Sequence, residues 1–349
     1  MAQHTFSPYT INGIGDISDM SLSSQMGTGE VGIGSPSFWH INNVNPALLP
    51  YNSLTTFQMG LSAESRTVSS QTQTQKSGTG GLRYIAFSFP IIPAKWTSSI
   101  GFLPYSSVNY NVIANDIVAG TTTPVSFNFK GNGGITQAYF SNGVALGKGL
   151  TIGVKTSFLF GFVEKETTTF LGGEDFRLER KSGSNTAIPG DTLVNNQKEI
   201  FSLPSELGFG FSYEKLNAYT ISMDIKRQTW KQFAGSESSS QEYRSALIVG
   251  LGMEFIPDYT SVSSYFKRIR YRFGFNYQQV PYVLNGNTIN DFGINFGWTL
   301  PFNTVSGLDL AFKLGQRGTK SNDLIRERYF KFVLGATIND KWFERRKYY

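Results

Sequence analysis

Asp291-Phe292-Gly293-Ile294-Asn295-Phe296-Gly297-Trp298-Thr299-Leu300 alternates without a break. Phe292, Ile294, Phe296, Trp298 and Leu300 share one face, while Asp291, Gly293, Asn295, Gly297 and Thr299 share the other. A sustained period of two is a β-strand with one apolar and one polar face. Working outward, Arg268–Gln278 sets Ile269, Tyr271, Phe273, Phe275 and Tyr277 against Arg270, Arg272, Gly274, Asn276 and Gln278. In Thr151–Phe162, Ile152, Val154, Phe158, Phe160 and Phe162 oppose Gly153, Lys155, Ser157 and Gly161. The scheme recurs through the chain and predicts about twelve strands, near 53–65, 80–91, 95–110, 122–146, 149–164, 199–214, 217–230, 241–256, 266–280, 288–300, 305–316 and 328–339. No segment between them has a helical period, so the chain after residue 50 reads as one antiparallel all-β unit.

The connections carry a second regularity. Those at 66–79, 111–121, 165–198, 231–240, 281–287 and 317–327 are mostly long or polar, and those between them are mostly short. Pro257–Tyr265 is the exception, long where a short turn is expected. Long-short alternation is the pattern of a transmembrane β-barrel, with apolar residues facing lipid and polar residues facing the lumen. An even strand number then places both termini on the periplasmic side. The strands suit a bilayer, which needs about 9–11 residues per crossing. Tyr84, Trp96, Tyr105, Tyr110, Tyr219, Trp230, Tyr265, Tyr277 and Trp298 near strand ends are read as girdles at the lipid–water interfaces. A mean hydropathy of −0.20 agrees with apolar residues confined to alternate positions.

Composition removes other classes. The 349 residues include no cysteine and only two histidines, which excludes disulfides, thiolate chemistry and histidine-rich metal sites. Aromatic residues make up 15% and charged residues only 16%, the opposite of a disordered chain. No apolar run is long enough for a transmembrane helix, and Met1–Tyr9 lacks the basic start and apolar stretch of a signal peptide. The expectation is a mature chain from which the signal is gone. Residues 1–50 are rich in Gly, Ser and Asn and too long for a simple loop; they read as a plug or hatch, followed by the barrel at 51–340 and a basic, aromatic tail at 341–349.

Several motifs, taken in order, resemble the FadL family of outer-membrane channels for hydrophobic compounds, and more closely its shorter branch. They are Ser7-Pro8-Tyr9 with Gly13-Ile14-Gly15-Asp16, then Ile41-Asn42-Asn43-Val44-Asn45-Pro46-Ala47, then Phe102-Leu103-Pro104-Tyr105-Ser106-Ser107-Val108. Gly131 to Tyr139, Gly149 to Val154 and the tail Trp342 to Tyr348 complete the set. The resemblance implies fourteen strands, so a further hairpin would lie in 165–198 or the long stretch 122–146 would be two elements. It also implies a lumenal hatch and passive, lateral diffusion of apolar ligands. Barrels of this kind also serve as subunits of secretion or assembly complexes.

Candidate sites follow. Gly27, Gly29 and Gly32 match G-x-G-x-x-G, but Pro36 follows where a dinucleotide site needs a helix; tight packing of the hatch is the expectation. Asn45, Pro46 and Ala47 are expected to form the hinge or gate between hatch and wall. Phe38 and Trp39, with His40, form an aromatic cluster that would anchor the hatch or touch a ligand. Glu64, Lys155, Glu206, Asp224, Lys226, Glu254, Arg270, Arg272, Asp291, Asp309, Lys313 and Lys331 form a polar ladder in the lumen, balanced in sign and unsuited to a strongly ion-selective pore. Trp342, Phe343, Arg345, Arg346 and Lys347 suit a lipid interface or a partner. Both histidines lie in the hatch, away from the outer surface where a barrel lipase would need one, so no enzymatic activity is expected. No cofactor and no nucleic acid is expected. The anticipated partners are membrane lipid, an apolar small molecule such as a fatty acid, and other outer-membrane proteins. The leading expectation is passive uptake of hydrophobic or amphipathic molecules across a bacterial outer membrane. The alternative is a non-transporting subunit of a larger outer-membrane complex.

Overall fold

The computed structural model of the protein describes residues 6–11, 13–117, 122, 124–147, 149–171, 203–230, 243–284 and 286–341. A two-residue strand β1 (Asp16–Ile17) and a short helix α1 (Ser23–Gly27) precede the main sheet. The sheet then runs through β2 (Thr55–Ser69), β3 (Thr74–Ile92), β4 (Trp96–Ile117), β5 (Pro124–Gly147), β6 (Leu150–Leu171), β7 (Ser205–Lys215), β8 (Tyr219–Thr229) and β9 (Ala246–Phe255). After the one-turn helix α2 (Tyr265–Arg268) come β10 (Arg270–Leu284), β11 (Asn287–Pro301), β12 (Gly307–Arg317) and β13 (Arg326–Asp340).

Twelve long strands pair in the order β6-β5-β4-β3-β2-β13-β12-β11-β10-β9-β8-β7. Neighbours in sequence are neighbours in space, and β2 meets β13 from Thr55↔Asp340 to Ser69↔Arg326. The ends of this path are β6 and β7; residues 172–202 between them lie outside the described set. The extra hairpin expected near 165–198 therefore falls largely there. The other option for two more strands, a split of 122–146, is ruled out, because Pro124–Gly147 is a single strand.

The pleat separates two environments. Leu207, Phe209 and Phe211 are 66%, 72% and 67% exposed on the outer face of β7, and such residues recur on almost every strand. Each would cost about 1.5–3 kcal/mol to leave in water, so this continuous apolar surface belongs against lipid. Gln58, Asn295, Asp309 and Glu327 on the opposite face are fully buried. No helix among the described residues is long and apolar enough to cross a bilayer, so crossing falls to the strands.

Three expectations need correction. Residues 66–79 and 281–287 are mostly strand, because β2 and β3 continue to a tight turn at 70–73 and β10 and β11 continue to 284 and from 287. The outer ends of β2 and β3 are mostly polar, and β10 carries Pro281 at an irregularity between Gln279 and Val283, so alternation is lost there although the strands run on. Second, β4, β5 and β6 have 22, 24 and 22 residues, whereas β7, β8 and β9 have 11, 11 and 10. At about 3.3 Å per residue, one side of the wall stands far taller than the other, rising at the end away from the short turns.

The third correction concerns the girdle. Tyr84, Tyr105, Tyr110 and Trp230 are buried and point inward. The pairing skips Arg83, between Gly60↔Tyr84 and Leu61↔Leu82, and skips Tyr105, between Pro104↔Thr136 and Ser106↔Ile135. One extra residue reverses every later side chain: Phe102 faces out, whereas Val108 and Tyr110 face in. Trp230 keeps the parity of β8 and stacks on Tyr243 with ring centroids 6.2 Å apart. The outer aromatic row at the short-turn end is instead set by register, through Tyr219↔Phe255, Phe255↔Tyr271 and Tyr271↔Trp298.

Candidate functional site

The chain before β2 lies against the polar face of the sheet and touches almost every strand. Its start is tied to the tall end. The Ser7 amide donates to Asn109 O at 2.8 Å, and Ser7 Oγ donates to Glu327 at 2.6 Å. Tyr9 donates its hydroxyl to Ile325 O and accepts at its own carbonyl from Tyr282, 3.0 Å away. Asp16 pairs with Arg317, whose Nε also reaches Asp291 at 2.9 Å.

Helix α1 is wholly buried, and Met26 packs against Ala311 and Val333 of the wall. The Asn295 amide donates to Met26 O at 2.8 Å, and Ser23 Oγ lies 2.6 Å from the Tyr84 hydroxyl. The helix stops at Gly27, where the glycine motif begins. Residues 27–34 then lie backbone-to-backbone on a row of wall glycines. A Cβ on Gly274 would come within 2.1 Å of Gly29 N, one on Gly252 within 2.2 Å of Thr28 O, and one on Gly210 within 2.2 Å of Gly34 N. Gly29 itself has φ +74°, and a Cβ there would meet Leu251 O at 2.5 Å. Glycine is needed on both sides of this seam. Gly27 faces Gly297, while Gly32 packs on Val44 inside the plug.

Asp224 of β8 closes the same stretch. One carboxylate oxygen accepts from the Gly32 and Ile33 amides at 2.7 and 2.8 Å. Asn42 and Asn45 donate to Gly32 O and Ile33 O, both at 2.7 Å. Asn45 Oδ1 then accepts from the Ala47 amide at 3.0 Å and caps the 3-10 turn Pro46–Tyr51. That turn rests on β5 and β6, where a Cβ on Gly143 would meet Pro46 O at 2.3 Å and one on Gly153 would meet Ala47 N at 2.2 Å.

The polar ladder mates with this plug or with itself. Glu64 pairs with Arg66 at 2.7 Å and Lys331 at 3.3 Å, and Arg66 with Glu327 at 2.7 Å. Lys313 reaches Glu30 of the plug at 2.7 Å. Lys155 donates to Asn43 Oδ1 at 2.9 Å and sits over the Tyr139 ring. Glu254 holds Arg270 and Arg272 at 3.1 and 2.7 Å, and Arg270 covers the Trp39 ring at 4.8 Å. Glu206 accepts from Gln228 at 2.8 Å, beside a hollow that Lys226 also lines. Asp309 gathers His40 at 3.0 Å, Arg272 at 3.6 Å, Thr337 at 2.8 Å and the Thr299 hydroxyl.

Ser37, His40 and Asp309 lie in line, but they do not form a nucleophile device. Ser37 Oγ is 3.4 Å from His40 Nδ1 and already accepts from the Trp39 and His40 amides at 3.3 and 3.1 Å. It shapes a turn, and the histidine pins that turn to the wall. Sequence reasoning named His40 as an anchor of the hatch but not its partner Asp309, and passed over Asp16, Asp19, Glu30, Arg66, Arg83, Arg317 and Glu327. Parity with Glu64 would have found Arg66 and parity with Lys331 along β13 would have found Glu327, which lies opposite Val68, diagonal to Arg66; nothing in the irregular plug marks its acids. The tail residues Trp342, Phe343, Arg345, Arg346 and Lys347, and most of 165–198, lie outside the described residues.

Among the described residues, several separate hollows remain. Three hollows of about 60, 130 and 150 Å³, lined by mixed polar and apolar groups, lie between plug and wall. A larger, apolar hollow of about 470 Å³ opens at the short-turn end, between Phe38, Pro50, Tyr51, Leu146 and Leu150. Phe38 is 39% exposed there and packs edge-on against Tyr51.

Comparison with known proteins fits this geometry. A family model described as BamG matches residues 1–190 and 179–349, which together take in the whole chain. Among solved structures, the CymD monoaromatic hydrocarbon channel is similar at TM-score 0.52 and 12% identity, over 94% of this chain and 98% of that one. A Pseudomonas aeruginosa FadL homologue is similar at TM-score 0.50 and 10% identity, over 93% and 99%. At these identities the likeness is one of fold: a FadL-like outer-membrane β-barrel. Among curated proteins, none is similar enough to match this sequence.

Proposed function

The chain belongs to the BamG family, and we propose that it serves as a plugged outer-membrane barrel subunit within a larger protein complex. One observation carries this reading: among the described residues, backbone seams and paired charges join the plug to strands along most of the wall. An opening route would have to break the Asp224 contacts, the Asp309–His40 pair, the Glu30–Lys313 pair and the glycine seam together. These ties are spread over β8, β12 and the glycine row, so no single hinge releases them. The tall β4–β6 wall supports the same reading, since it raises Ile113 and Ile117, 65% and 61% exposed, at the end where the strands overrun the shorter side.

A specific observation favours the second reading, passive uptake of a small apolar compound. The hollow beside Phe38 and Tyr51 is large enough for such a molecule and mostly apolar, and the fold is that of a named hydrocarbon channel. Native mass spectrometry of the protein gently extracted from its membrane separates the two. The subunit reading expects a stoichiometric assembly with other membrane proteins and no retained ligand. A lone chain holding an apolar ligand, lost on Phe38→Ala, would overturn it in favour of uptake, with the retained molecule deciding between a fatty acid and a smaller compound.

A further inference from the structure

Among the described residues, the connection between β9 and β10 is the longest between two strands at the short-turn end. Its ends are closed by the Asp258 amide donating to Lys267 O at 2.9 Å, so the segment is a formed loop. At its tip Val262 is 98% exposed, and α2 presents Phe266 at 72%. The Tyr271 hydroxyl donates to Phe266 O at 3.0 Å. Tyr271 belongs to the outward aromatic row, beside Phe255 and Trp298. That bond places α2 against the lipid-facing side of the wall. Lys267 and Arg268 follow directly, with the Arg268 guanidinium 5.4 Å from the Tyr265 ring. The one acid of the loop, Asp258, is occupied locally: the Thr260 hydroxyl and amide hold its carboxyl below the usual aspartate range.

We infer that residues 257–268 form a lipid-binding foot, which sinks Val262 and Phe266 into the leaflet at the short-turn end and sets Lys267 and Arg268 on anionic phospholipid headgroups. An apolar tip, an aromatic shoulder and two adjacent cations are the arrangement that binds a charged bilayer surface. Continuity with the aromatic row selects lipid over a protein as the occupant. The inference stands whether the barrel is a subunit or a channel.

The test uses the absence of native cysteine. The full-length protein carries one fluorophore at Val262→Cys or, as a control on the neighbouring rim, at Thr304→Cys, in vesicles of phosphatidylethanolamine and phosphatidylglycerol. Both positions are exposed, and heat-modified gel mobility checks folding. The 262 label is expected to be quenched by lipids brominated in the acyl chain and shielded from aqueous iodide, and the 304 label the reverse. Lys267→Gln or Arg268→Gln is expected to lower the inserted-to-withdrawn ratio about fivefold each, since a basic residue near an anionic surface contributes about 1 kcal/mol. Equal iodide quenching at both labels would overturn the inference. Shielding of the 262 label only in a natively extracted complex would also overturn it, by showing that a protein covers the loop.

Discussion

Asp224→Ala removes the carboxylate that holds the plug at its glycine bend, and its effect can be worked from the contacts. The carboxylate is 1% exposed and accepts three amides, two of them closely, Gly32 at 2.7 Å and Ile33 at 2.8 Å, and Gly34 at 3.4 Å. Alanine leaves the two close N–H groups without their protein acceptor. Each orphaned donor costs about 1–3 kcal/mol, so the local loss is about 4 kcal/mol. At about 1.4 kcal/mol per decade, the bend should open about a thousandfold more often. The other ties remain: Asn295 still holds Met26 O, and Asp309 still holds His40. The loosening should therefore stay local. Amide hydrogen exchange in detergent micelles, read by mass spectrometry, is the assay. The peptide covering 30–36 should exchange about a thousandfold faster, while peptides covering 22–27 stay protected. Asp224→Asn keeps one acceptor oxygen and should fall between. Unchanged exchange at 30–36 would refute the idea that this carboxylate pins the bend. Equal acceleration across the barrel would refute the idea that plug and wall are separable in stability.

Three further outcomes are expected. Gly274→Ala puts a Cβ 2.1 Å from Gly29 N, against backbone on both sides, and should cost about 1–3 kcal/mol in guanidinium unfolding. Gly286→Ala meets nothing within 4 Å and should cost only the strain of its φ of +71°, about 1 kcal/mol in the same assay. Asp309→Ala takes the shared acceptor from His40, Thr299 and Thr337, while Arg272 keeps Glu254, and should cost about 3 kcal/mol; combined with His40→Ala, the loss should fall short of the sum, and a double-mutant cycle that closes additively would remove the pair from the argument.

The wall was legible in the sequence because its solvent is divided by the pleat. Phe292 to Leu300 could be assigned to faces from alternation alone, and Asp224, Asp309 and Lys313 inherited their inward direction from it. What failed did so where a local insertion is invisible to a period of two. Nothing in the sequence marks Arg83 or Tyr105 as the extra residue, yet each reverses the strand beyond it and turns an expected girdle tyrosine into core. The plug was harder still. Its segments follow no period, because backbone contacts and side-chain caps shape them. The glycine triplet suggested close packing but not the partner, since Gly210, Gly252 and Gly274 are far away in the chain. The link between His40 and Asp309 spans 269 positions, which no short-range pattern reports.

The seam between plug and wall also bears on how the molecule is made. Early chain touches late chain throughout: Met26 meets Ala311 and Val333, and β2 pairs along its whole length with β13. The plug meets both β6 and β7, the two ends of the paired path, through Ala47 at Gly153 and Gly34 at Gly210. Glycine-on-backbone contacts leave no slack through which a finished cylinder could later swallow this segment. The amino-terminal segment must then be in place while the strands curl around it, acting as a mould on which the sheet is cast. Loop closure over such long separations is slow, and a mould shortens the search by presenting each arriving strand with a surface already cut to its row of glycines.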